Sequence, residues 1–115
     1  MEAVPFLESL LAHFPDHVKG LILLGDLYVN QLSDLDAAER CYRRILELDG
    51  QNVQGLHNLC VVMVERGDLL EARECLVKAR DLAPHEKYVR DHLDIVQKKI
   101  DEVMEMRKRS DAEDP

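Results

Sequence analysis

A pattern that returns every 34 or 35 residues constrains this chain more than any other feature. Ala72, Leu76, Ala79 and Pro84 repeat Ala38, Tyr42, Ile45 and Gly50 at an offset of 34, and those repeat Ala3, Leu7, Leu10 and Pro15 at an offset of 35. A second pattern occurs twice, as Leu21, Leu24, Gly25, Tyr28 and as Leu56, Leu59, Cys60, Met63. Spacings of three and four put each set on one helix face. Between the last two runs, Gly67 supplies a turn and Asp68 a cap, and Pro84 ends the second run. The unit is therefore a helical hairpin, too thin to bury its apolar face alone, and it must stack on its own copies.

Period and half-patterns resemble the tetratricopeptide repeat (TPR), with Leu in place of Trp and with Tyr or Leu in place of Phe. The predicted fold class is all-α: a TPR-type α-solenoid of stacked helical hairpins closed by a C-terminal capping helix. Residues 1–15 read as the second helix of an incomplete repeat, 16–50 and 51–84 as full repeats, 85–107 as the capping helix and 108–115 as a frayed polar tail. Helices are predicted at about 3–13, 17–32, 35–48, 52–66, 69–82 and 86–107, with Asp34 and Asp68 as N-caps and Asp68 with Glu71 as a capping box. The extra residue of the earlier full repeat falls in its turn, where Asn30 to Ser33 stand for Glu65 to Gly67. Without a preceding helix, Phe6, Leu7, Leu10 and Leu11 are expected to be partly exposed. A start at Met1 then implies either further repeats upstream or a stand-alone protein.

A net charge of −8, with acids spread along the helices, argues against nucleic acid as a partner. The longest apolar runs, Leu21–Leu24 and Leu59–Val64, are too short to span a bilayer. Three cysteines, Cys41, Cys60 and Cys75, form no CxxC pair and leave the redox compartment open. Cys60 stands where the other repeat has Gly25, so it reads as a small packing residue with a free thiol. Zinc held by His57, Cys60 and Cys75 lacks a convincing fourth ligand, and neither a metal nor a cofactor is expected.

Nothing in the chain carries chemistry. Asp34-Leu35-Asp36 has the form of a DxD pair, but its first acid is accounted for by capping, and the equivalent Asp68-Leu69-Leu70 lacks the second. Arrays of this kind bind, with their first helices lining the concave side. The predicted groove comprises Lys19, Ile22, Leu23, Asp26 and Asn30, then Gln54, His57, Asn58, Val61 and Glu65, with Tyr88, Asp91, His92 and Ile95 from the capping helix. Asn58 and Gln54 can bond a peptide backbone, and Tyr88 offers a stacking face. A clamp for a chaperone's C-terminal carboxylate is rejected. Its cationic and amide positions are held by Ile22, Asp26, Asn58, Tyr88 and His92, and Asp26 would repel the ligand.

The wording within the repeats is more specific than the repeat itself. Lys19–Asp26, Ala38–Cys41, Val53–Val62, Glu74–Leu76, Leu82–Tyr88 and His92–Val96 resemble the C-terminal end of the transmembrane and TPR repeat-containing (TMTC) proteins, across about residues 16–100. Met63 departs from the tyrosine expected there. The resemblance implies a multi-pass endoplasmic reticulum membrane protein with a lumenal TPR tail. Such proteins are O-mannosyltransferases that move mannose from dolichyl phosphate mannose to Ser or Thr of cadherin-type proteins. The catalytic residues of that chemistry lie outside this chain. The segment itself would recognise protein substrates or pack on the membrane-embedded part of the same protein. The alternative is a stand-alone cytosolic TPR adaptor.

Overall fold

The computed structural model describes residues 3–113, so the parts of the expected first and last segments at 1–2 and 114–115 lie outside the described residues. Among the described residues six helices follow one another: α1 (Ala3–His13), α2 (Val18–Asn30), α3 (Leu35–Leu48), α4 (Val53–Glu65), α5 (Leu69–Leu82) and α6 (Lys87–Glu113). Each packs on its neighbour in sequence, and α2 also touches α4, so two hairpins stack with their first helices adjacent. The result is an elongated body of 61 × 31 × 20 Å. It is the all-helical, TPR-like stack that the repeat demands.

Local chemistry sets the helix ends. Asp34 caps α3, its Oδ1 accepting from the Ala37 N–H at 3.1 Å, and Asn52 caps α4 by accepting from Gly55 at 2.8 Å. His17 does the same for α2, its Nδ1 accepting from Gly20 at 2.9 Å. Asp68 occupies the cap position of α5 but makes no side-chain cap bond, so the predicted capping box with Glu71 does not form. The two inter-helix turns differ by one residue, as expected. The Asp68 N–H closes onto Met63 O, whereas Asp34 must reach one residue further back, to Tyr28 O. In both turns the residue before the cap is left-handed. Gly67 has φ 84°, and Ser33 adopts φ 51°, a conformation that costs a residue with a Cβ more than it costs glycine.

The core runs along the stack in two joined parts. The first gathers Leu21, Leu24, Ala38, Tyr42, Ile45, Leu59 and Val62 with Val4 and Leu7 of α1. The second gathers Cys60, Ala72, Cys75, Leu76, Val96 and Ile100, and Met63 packs against both. Helix α4 thus serves both parts with different faces. Burying side chains the size of Ile45 or Leu76 contributes about 1.5–3 kcal/mol each. α1 leaves its expected residues exposed as its pattern suggested except at Leu7, with Leu10 and Leu11 only partly buried. Leu7 is buried against α2, and Phe6 alone of the four expected residues stands well out, 70% exposed.

Three expectations change. Cys60 is not a free thiol. It is bonded to Cys75, joining α4 to α5 within one repeat, which leaves Cys41 as the free cysteine. Ile22 does not face a groove. It is 9% exposed and belongs to the core with Val4 and Leu7, because α2 packs against α1, α3 and α4 and so buries more than one stripe. Helix α6 continues past Arg107 to Glu113, through residues expected to fray. No helix among the described residues is long and apolar enough to cross a membrane.

Candidate functional site

Helices α2 and α4 lie side by side, and the start of α6 flanks α4, so one continuous face carries nearly all the residues singled out for binding. They fall into two clusters. In the first, Asp26 of α2 is the hub. Its Oδ1 accepts from the Tyr42 hydroxyl at 2.6 Å and from the Asn58 side-chain amide at 3.0 Å, tying α2, α3 and α4 together. A hollow of about 170 Å³ opens here, lined by Asp26, Val29, Asn30, Tyr42, Asn58 and Val61. Burial, then the bond to Asp26, pushes the Tyr42 hydroxyl well above its usual range, so it remains a donor.

The second cluster joins α4 to α6. His57 Nε2 lies 3.1 Å from His92 Nδ1, so one ring N–H donates to the bare nitrogen of the other. Tyr88 and His57 pack in a T-shaped pair, with ring centroids 4.9 Å apart and planes nearly perpendicular. Desolvation, and then the neighbouring His92, holds His57 below the ordinary histidine value. Desolvation and then Lys99 do the same to His92. Both rings are therefore neutral at pH 7, and protonating both would set two like charges against each other.

That pair fixes the sign of a pH dependence. A histidine whose folded pKa is depressed takes up protons more readily when unfolded. The stability it contributes is present above the unfolded value of about 6.5 and is lost as pH falls below it. The melting temperature should therefore drop between pH 7.5 and pH 5, and His92→Gln should flatten that drop. Equal slopes for the two proteins would show that the pair is not the titrating unit.

The other predicted residues sit at the margins. Lys19, Asn30, Gln54 and Glu65 are exposed, and Asp91 is exposed but paired with Lys87 at 3.0 Å. Leu23 and Ile95 are half exposed, giving the face apolar as well as polar contacts. Ile22 alone is withdrawn from it. Tyr42 was missed as a lining residue because its position belongs to the core pattern. The signal was present, since Leu7 and Leu76 hold the equivalent places and only Tyr42 brings a hydroxyl that needs a partner. The DxD pair is structural in both halves. Asp34 caps α3, and Asp36 takes Arg66 Nη2 at 2.5 Å, with Glu39 on the same guanidinium at 3.1 Å. Among the described residues no group of three or more His, Cys, Asp or Glu could hold a metal ion.

No protein-family profile matches the chain. Among curated proteins it is 56% identical over 103 residues to the protein O-mannosyl-transferase Tmtc3 of Drosophila melanogaster, covering 90% of this chain. It is 55% identical over 100 residues to the protein O-mannosyl-transferase TMTC3 of Homo sapiens, covering 87% of this chain. The chain spans only 11% of the length of each. Among solved structures it superposes on MamA with a TM-score of 0.76 at 18% identity, covering 86% of this chain and 57% of that one. It superposes on the second TPR domain of human RPAP3, determined in complex with an HSP70 peptide, with a TM-score of 0.73 at 16% identity, covering 82% of this chain and 78% of that one. At such identities the two structures speak for the TPR fold alone.

Proposed function

The chain is homologous to a TPR-containing part of the TMTC3 protein O-mannosyl-transferases, and from that premise we propose that it is the partner-recognising segment of a transferase of this kind. In this reading the parent protein transfers mannose from dolichyl phosphate mannose to Ser or Thr of cadherin-type proteins in the endoplasmic reticulum. This segment hangs in the lumen and holds a protein partner on the face of α2, α4 and α6, while the chemistry is done elsewhere. The observation that carries the reading is the 56% identity across 90% of the chain. The face itself supplies what an extended segment needs: amide groups at Gln54 and Asn58, an exposed aromatic ring at Tyr88, and apolar contacts at Leu23 and Ile95.

The Cys60–Cys75 bond supports a lumenal placement, since such bonds persist in oxidising compartments and are rare in the cytosol. It weighs against the stand-alone cytosolic adaptor. The RPAP3 domain solved with its HSP70 peptide is a precedent for peptide binding on this fold, though Asp26 excludes the same acidic ligand here.

Titrating the isotope-labelled chain with a cadherin-type extracellular domain tests the face. The NMR signals of Gln54, His57, Asn58 and Tyr88 should move before those of Cys41 and Arg73. A response confined to the α3 and α5 side would overturn the assignment.

A further inference from the structure

We infer that the hollow at Asp26 takes the cationic side chain of a lysine or arginine in an extended peptide, with an apolar residue nearby in that peptide lying over Phe6, Leu23 and Leu27. The inference rests on the groove reading of the proposed function and goes beyond it by naming the chemistry of the occupant.

Asp26 carries an uncompensated charge. It is partly buried, and both donors that hold it, Tyr42 and Asn58, are neutral and converge on one oxygen, Oδ1. Among the described residues no Lys, Arg or His lies within ion-pairing distance of it. The carboxylate is thus oriented and partly buried, and no cation among the described residues pairs with it. Lys87, at the start of α6, is already engaged by Asp91. A guanidinium or ammonium entering the hollow would make a charge-assisted hydrogen bond, about twice as strong as a neutral one. Val29 and Val61 would pack on its aliphatic stem.

Shape points the same way as charge. A second hollow of about 450 Å³ lies between α1 and α2, lined by Phe6, Leu7, Leu23 and Leu27, and it shares Asp26 and Asn30 with the first. One carboxylate therefore stands where a small polar pocket meets a larger apolar trough. A ligand filling both carries a positive charge and a bulky apolar group a short distance apart. The net charge of −8 adds a field that draws cationic segments toward the chain and repels acidic ones.

The test uses the intact chain and three capped pentapeptides, Ala-Lys-Ala-Leu-Ala and its counterparts with Gln or Glu for Lys, followed by NMR. The lysine peptide should bind at least tenfold more tightly than the glutamine peptide and should weaken as salt rises from 50 to 500 mM. It should move the Asn58 side-chain amide and the Leu23 and Leu27 methyls, and the glutamate peptide should not bind. Asp26→Asn still accepts from Tyr42 and Asn58, so it should keep its melting temperature and lose the preference for lysine over glutamine. Should that variant unfold, the peptide series and salt dependence on the native chain decide alone. Equal binding of the lysine and glutamine peptides on this face overturns the inference and leaves the groove reading intact. Shifts elsewhere, or no binding by any of the three, overturn both. The same shifts produced by calcium chloride alone would assign the hollow to a metal ion and overturn the peptide reading.

Discussion

Reducing the Cys60–Cys75 bond is expected to lower the melting temperature of this chain by roughly 10 °C or more. The bond closes a loop with a sequence separation of 15, for which the chain-entropy account gives about 3 kcal/mol. A degree scale of about 4 °C per kcal/mol for a domain of this size converts that into the expected shift. The effect should be large because a two-repeat stack has a narrow core and α5 is held mainly by α4 and α6. Thermal melts with and without reductant, beside alkylation of the denatured protein, check it together. Unreduced protein should take up one label, at Cys41, and reduced protein three. Cys41→Ala should leave the reductant effect unchanged. The Cys41 thiol is buried and pushed up to about 11, so it is a poor nucleophile for exchange with the bond. Three labels on unreduced protein, with no change in melting, would show that the bond does not form.

Gly25→Ala should cost about 1–3 kcal/mol, seen as a melting temperature lower by roughly 4–12 °C. A Cβ at Gly25 would lie 2.5 Å from Tyr42 Cε1, and the Tyr42 ring is held in the core with 2% exposure. The ring must move, and its hydroxyl then leaves Asp26. The substitution is thus expected to disturb the candidate site as well as the fold, shifting the Asn58 side-chain amide even in the absence of a partner. Gly50→Ala is the control. Its new Cβ meets nothing closer than Leu46 O at 3.7 Å, and it should melt within about a degree or two of the native chain. Matching losses for the two variants would mean that the α2–α3 crossing is not as close as described. The equivalent position in the next repeat tolerates a side chain for a related reason: Cys60 meets α5 of its own repeat, where Leu76 stands in place of Tyr42, and its sulfur bonds to Cys75 there.

The repeat alone was enough to specify the all-helical stack, because a helix face recurring at 34 or 35 residues has no other way to bury itself. Helix ends at His13, Leu48 and Leu82 followed from Pro15, Gly50 and Pro84, and the N-cap at Asp34 from its place before an apolar run. These are local effects, readable from neighbours in the chain. The grouping of the candidate residues was legible in outline for the same reason: a residue's side of a helix follows from its register, and Asp26, His57, Asn58, Tyr88 and His92 do meet across α2, α4 and α6.

Relations between elements were another matter, and the packed chain alone settled them. Ile22 and His57 hold the same register in successive repeats, yet one is core and the other lines the face, because α1 lies against the first and α6 against the second. Cys60 and Cys75 lack any spacing that marks a pair, and they bond because two helices cross where both small side chains point inward. The uncompensated charge of Asp26 is likewise invisible along the chain, since it depends on which donors three separate helices bring to one carboxylate. Register is set by each helix's own residues, but what a side chain touches is set by its neighbours' packing. Only the folded stack specifies that.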